Sequence, residues 1–263
     1  MVDGMYVDQA WRLSAMSLEN CIDTLTDDEK NMKITRAVLG LGYNAIRLEN
    51  GNVGLSANIV RERQGGCSVF KEAGTISGSR AGDVLKLGER GDLMSRSICL
   101  AVLNALTNTA ESGDEGEVFD LVRVEEGDRV VMVGLIEPVA AMLKKKGCEV
   151  SVYEDRPVGH PMVEDPANLP ARCAGADIII ITGTSLINDS FDEIMSHASR
   201  AREVVLMGPS TPMRARAFAG TPVSRLAGSR VTDPDLSFTI VMEGGGTREL
   251  LRHGAMVKIV SRV

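Results

Sequence analysis

The residues best equipped for chemistry are two glutamates and two loops dense in hydroxyl groups. Glu154 follows Gly134 at roughly the 20-residue offset where an acidic side chain meets ribose hydroxyls in nucleotide-binding sheets. With Glu137 at the same expected sheet edge, it could instead hold a divalent transition metal or a protonated ligand group. Two exposed loop acids are the bland alternative. Thr182-Gly183-Thr184-Ser185-Leu186-Ile187-Asn188 gathers three hydroxyls, a glycine and an amide, which suit an oxygen-rich ligand or simply cap their own turn. In Gly208-Pro209-Ser210-Thr211-Pro212 two prolines stiffen a second hydroxyl-bearing loop, and Thr211 before Pro212 reads equally as a helix start.

Other constellations are poorer. His160, His197 and His253 are isolated, so a preformed zinc site is not expected, although His160 with Glu164 and Asp165 could bind a metal. Cys67 after Gly65-Gly66 lacks an evident basic partner, and no Gly-x-Ser-x-Gly elbow follows a strand. Gly134-Leu135-Ile136-Glu137-Pro138 has one glycine where a dinucleotide fingerprint wants three, which disfavours NAD and FAD. Met242-Glu243-Gly244-Gly245-Gly246-Thr247 lacks the Gly-Lys-Ser/Thr ending of a phosphate loop and reads as a connection. Arg214 and Arg216 are expected at the surface.

These positions need a scaffold, and the second half of the chain supplies its pattern. Short aliphatic runs at Arg129–Val133, Cys148–Tyr153, Ala176–Ile181 and Glu203–Met207 alternate with helical stretches. Runs apolar on both faces belong to a parallel sheet covered by helices, and ligands of such sheets sit beyond the carboxyl ends of the strands. A helix from about Pro138 to Lys146 stops at Gly147, Asp189 is placed to cap the helix holding Phe191, and Met256–Val263 could add a last strand. In the first half, Val7–Leu25 and Met94–Leu106 have helical spacing. Thr35–Leu48 and Val53–Val60 read as two antiparallel strands around the Asn50-Gly51 turn, and the glycine-rich stretch 65–82 reads as a loop without an assigned role. The polar run Glu111–Glu117 reads as a linker, dividing the chain into residues 1–112 and 117–263.

Composition narrows the function classes. At 263 residues the chain favours two modest domains, and 44% hydrophobic with 25% charged residues is the make-up of a folded protein. A net charge of -7 and only 3% aromatic residues argue against a nucleic-acid partner. Five cysteines without a C-x-x-C pair, no signal-like start and no long apolar run favour a cytoplasmic protein with no membrane partner.

The two hydroxyl loops together, with Phe218-Ala219-Gly220 and Leu226-Ala227-Gly228 before Val231, resemble the putative heavy-metal chelation domain family over Leu121 to Val263. Gly40-Leu41-Gly42-Tyr43, Gly54-Leu55-Ser56 and Leu103-Asn104-Ala105 look like the smaller domain that precedes it in such proteins. The resemblance implies an α/β fold, with a C-terminal Rossmann-like, doubly wound, mostly parallel sheet behind an enolase N-terminal-like α+β domain. It also implies a composite pocket between the two, carried here by Asn104, Gly134, Glu154, Thr182, Gly183, Thr184, Asn188, Gly208, Pro209, Ser210 and Thr211. Ser185 stands where a second threonine is expected, and Asp189 where a glycine is expected. The expected function is binding of a metal, a metal chelate or a chelator-like small molecule in the interdomain cleft. Glu137 and Glu154 are its metal candidates, and a homo-oligomer is compatible with it. The alternative is a transferase or hydrolase acting on pterin-, flavin- or siderophore-like molecules in the same cleft, related to methyltransferases, with one of the two glutamates as general base.

Overall fold

The computed structural model describes residues 18–60, 68–155, 159–198 and 200–263. The first half opens with helices α1 (Leu18–Asp23) and α2 (Asp27–Asn31) and a three-stranded antiparallel sheet, β1 (Ile34–Leu39), β2 (Tyr43–Leu48) and β3 (Val53–Ala57). Helices α3 (Ala81–Leu85) and α4 (Leu93–Thr107) complete it. The expected turn at Asn50-Gly51 joins β2 to β3, with Gly51 at φ +89°. What reads as one strand from Thr35 to Leu48 is two strands folded back at Gly40–Gly42. Gly40 lies so close to the carbonyls of Tyr43 and Val241 that a Cβ would stand 2.7 Å from each, an approach only glycine permits. Of the expected helix Val7–Leu25, residues 18–23 are helical and those before 18 lie outside the described residues.

The second half contributes β4 (Asp114–Glu115), β5 (Arg129–Val133), α5 (Glu137–Lys145), β6 (Glu149–Tyr153), α6 (Leu169–Gly175), β7 (Ile178–Thr182), α7 (Phe191–His197), β8 (Glu203–Met207), β9 (Arg225–Val231), α8 (Pro234–Met242), α9 (Thr247–Arg252) and β10 (Met256–Arg262). Seven strands form one sheet in the order β4-β10-β9-β8-β7-β5-β6, parallel from β9 through β6 and antiparallel at β10. The fold is thus α/β, with a large, mostly parallel sheet and a smaller α+β layer. The polar run at 111–117 is not wholly a connection, because Asp114 and Glu115 pair with Val260 and Ile259.

Strand periodicity sorts the core. Val130, Met132, Ile178 and Ile180 face one side, against α5 and the segment around Val118 and Val122. Val131, Ile179, Ile181, Val204 and Leu206 face the other, where α6, α7 and α4 pack. Every residue of α4 from Met94 to Thr107 is buried, because the helix lies between the small sheet and the large one. The opposite face of the small sheet, with Ala45, Val53 and Leu55, packs on Phe238, Ile240 and Val241 of α8.

Three local expectations are corrected. Asp189 does not cap α7, whose N-cap is Ser190 without a side-chain bond. No helix begins at Pro212; the chain runs irregularly to a single 3-10 turn at Ala215–Phe218. Arg214 is not a surface residue. Its guanidinium grips Glu29 at 2.8 and 2.9 Å and the Thr24 carbonyl at 2.8 Å, tying the loop after β8 to α1 and α2.

Two measurements follow from this packing. A Cβ at Gly54 would overlap the Ala101 carbonyl and the Ala105 amide of α4, whereas one at Gly42 meets nothing within 4 Å. Gly54→Ala is therefore expected to cost about 3 kcal/mol in urea unfolding and Gly42→Ala less than about 0.5 kcal/mol. Burial pushes the Glu29 carboxyl up, but hydrogen bonds from the Thr26 amide and Arg214 outweigh it and hold it below its ordinary value. Its contribution is then complete above the unfolded carboxylate value of about 4.3 and is lost as pH falls through the lower folded value. Glu29→Gln should accordingly show a smaller drop in Tm between pH 6 and pH 3 than the parent protein.

Candidate functional site

Along the chain the parallel strands run first β5, then β6, β7, β8 and β9, but in space β5 lies between β6 and β7. Successive connections therefore leave β5 in opposite directions, and the crevice between its loop and that of β7 is where ligands of such sheets bind. Gly134, at φ +92°, ends β5 there, and a Cβ on it would stand 2.6 Å from the Thr182 methyl. The Glu154 carboxylate at the end of β6 accepts the Leu135 amide, so Glu154 shapes the β5 loop. Glu137 opens α5 two residues later, exposed, with its carboxylate 3.7 Å from His160. Across the crevice Thr182 caps the 3-10 turn Gly183–Leu186, and the Thr184 hydroxyl donates to Thr182 Oγ1 at 3.1 Å. Asn188 then donates to Asp155, and its own Oδ1 accepts the Ser190 hydroxyl at 2.8 Å. Tyr153 stays protonated: burial, and next the Glu164 carboxylate, push its phenol up to about 12, and it donates to Glu164 at 3.1 Å.

The structure divides the sequence candidates into two sets. Gly134, Glu137, Glu154, Thr182, Thr184, Asn188, Gly208 and Pro209 reach solvent along the rim, whereas Asn104, Gly183, Ser210 and Thr211 are buried. The buried set joins the loops to one another and to the first half of the chain. A Cβ on Gly183 would stand 2.7 Å from the Thr211 amide, so the loops after β7 and β8 lie against each other. Ser210 Oγ accepts the Ala57 amide of β3 at 2.8 Å. Asn104 donates to the Leu55 carbonyl at 2.7 Å and reaches the Pro209 carbonyl at 3.4 Å.

Two further residues not singled out in the sequence, Arg96 in α4 and Asn108 at its C-cap, do more than Asn104. Asn108 donates to the carbonyls of Thr211 and Ser229, both at 3.0 Å, and accepts the Met213 amide at 2.9 Å. Arg96, 8% exposed, donates to the carbonyls of Ile187 at 2.9 Å and Leu186 at 3.0 Å, and to Asp189 at 2.8 Å. The available signal is that polar residues recur on a helix otherwise apolar all round, where a surface helix would keep them on one face. Four buried side-chain atoms in this region, Asn44 Oδ1, Asn104 Oδ1, Ser185 Oγ and Thr211 Oγ1, have no hydrogen-bond partner.

The arrangement does not suit a bare resident cation. Among the described residues no three His, Cys, Asp or Glu side chains converge at metal-holding distance. Glu154 is engaged by the Leu135 amide, and Glu137 faces His160. His160 and Glu164 do not meet: Glu164 turns instead to Tyr153 and, at 3.5 Å, to Arg172. Cys67 lies outside the described residues, and the cysteines within them, Cys21, Cys99, Cys148 and Cys173, are buried free thiols. Two clefts, of about 250 Å³ beside α1 and α3 and about 130 Å³ beside Arg129 and Arg172, lie away from the rim. No helix among the described residues is long and apolar enough to cross a membrane.

Comparison with known proteins agrees with this architecture. A family model described as putative heavy-metal chelation (DUF364) matches residues 117–260, and a second with the same description (DUF4213) matches residues 22–107. An uncharacterized protein of Methanocaldococcus jannaschii is 24% identical over 230 residues, 82% of this chain and 86% of its own. Two crystal structures of DUF364 proteins of unknown function share the fold at 20% identity. That from Desulfitobacterium hafniense has a TM-score of 0.78 and covers 94% of this chain and 96% of its own. That from Pyrococcus horikoshii has a TM-score of 0.79 and covers 94% and 99%.

The buried contacts separate two neighbouring substitutions. Asn108→Ala strands two carbonyls and an amide and should cost about 3 kcal/mol. Thr211→Val removes a hydroxyl that has no partner and should cost less than about 0.5 kcal/mol or stabilise the fold. Chemical denaturation of both variants checks the pair.

Proposed function

Since the chain belongs to the putative heavy-metal chelation family, we propose that its rim binds a metal chelate, a small oxygen-rich molecule that arrives with its metal already held. One observation carries this reading. The hydroxyls of Thr182 and Thr184, the Asn188 amide and the acids Glu137 and Glu154 line both sides of the crevice where the sheet's connections diverge. Hydroxyl and amide groups hydrogen-bond the oxygens of a chelator. Two carboxylates are too few to enclose a cation but enough to fill positions that a partly coordinated metal leaves open. The metal is thus cargo, and this chain's residues bind and orient what carries it.

Isothermal titration with Ni2+, Co2+ and Zn2+, each free and as its 1:1 iminodiacetate complex, tests the proposal. The complexes should bind at least tenfold more tightly than the free ions. Thr184→Val and Asn188→Ala should each weaken the complex about tenfold with Tm within a few degrees of the parent. Equal affinity for ion and complex, no binding of either, or indifference to both substitutions would refute it.

A further inference from the structure

The Arg96–Asp189 contact joins a buried cation to a residue in an unusual backbone state. Asp189 is the one described non-glycine residue with positive φ, at +64°, a left-handed conformation that L side chains adopt at a cost. Its carboxylate is two-thirds exposed, whereas the Arg96 side chain is 10% exposed. The guanidinium can spread its donors because it is a rigid fork. One arm and Nε take the carbonyls of Leu186 and Ile187, and the same arm takes Asp189. The remaining arm points to the Gly88 carbonyl at 3.5 Å, in the first half of the chain. Those two engaged carbonyls close the 3-10 turn that begins at Gly183, and Asn188 follows directly.

We propose that Arg96 and Asp189 form a latch that sets the rim loop 182–188 from the first half of the molecule, with both acting as positioning residues for Thr184 and Asn188. The inference rests on the binding reading above for its ligand consequence, but its structural part stands alone. A charge nine-tenths buried needs a counter-charge, and Asp189 is the carboxylate in contact with it. A glycine at 189 would adopt the same backbone at no steric cost, yet would leave Arg96 without that charge. The aspartate therefore trades local backbone ease for an ionic hold on the loop. Because Arg96 sits on α4, whatever displaces α4 also displaces the rim hydroxyls.

Amide hydrogen exchange on the 263-residue chain, without any ligand, tests the latch. In Asp189→Gly, amides 183–188 should exchange at least tenfold faster, while amides in β7 and β8 keep their protection and Tm falls by no more than a few degrees. Asp189→Asn, which keeps an accepting oxygen without the charge, should fall between. Arg96→Lys, which keeps the charge without the fork, should loosen the same amides. Unchanged exchange in Asp189→Gly, or loosening spread equally through β7 and β8, would overturn the latch. Where the nickel–iminodiacetate complex binds the parent chain, Asp189→Gly should bind it about tenfold more weakly, and unaltered affinity would overturn the positioning role. If that complex does not bind the parent chain, the binding reading fails while the exchange result still decides the latch.

Discussion

Peptide groups that leave a parallel sheet at its carboxyl edge and are then buried must find hydrogen-bond partners away from water, and here helix α4 and its C-cap Asn108 supply them. Arg96 takes the carbonyls after β7, Asn104 reaches Pro209, and Asn108 takes those of Thr211 and Ser229. The same helix is pressed against β3 so closely that Gly54 has no room for a side chain. One element with its C-cap thus meets the apolar demand of two sheets and the polar demand of two loops and of β9. A helix with that double task is buried all round, and its few polar side chains are anchors.

Placing the loops this way leaves solvent only a narrow strip of their surface. Ser210 and Thr211 face inward and hold the halves together with Gly183 packed against them, while Thr182, Thr184 and Asn188 face outward within a few residues of them. Neighbours in sequence therefore play opposite parts. The outward groups inherit fixed positions from the inward ones, which is the arrangement a site needs if binding is not to carry the cost of ordering its own loops.

Much of the scaffold was legible because its signals are local. The aliphatic runs of β5, β7 and β8 are apolar on both faces, and α5 ends at Gly147 as its lysines and glycine indicate. β9 was less so: Arg225, Gly228, Ser229 and Arg230 interrupt its apolar pattern, and it is a strand because β8 and β10 flank it. The fold-back at Gly40–Gly42 also depends on a remote partner, the Val241 carbonyl. Within the site, residue type was legible and direction was not. Thr184 and Thr211 look alike in the sequence, and only the packing of the two loops decides which meets water. Arg96 and Asn108 carry no signal of their own, and Arg214 reads as a surface residue, because a polar residue in a helix or loop reads as solvated until the element that buries it is known.

The position of β10 bears on the order in which the molecule can be completed. Residues 256–262 lie between β9 and the short β4, so an inner strand of the large sheet is supplied by a segment made more than a hundred residues after the edge strand it joins. During synthesis Asp114 and Glu115 must wait for Val260 and Ile259, and β9 keeps a bare edge until the same moment. The nascent chain therefore passes through a stage in which its longest open strand edge awaits one late segment, and that interval is when a chaperone would have the most to protect.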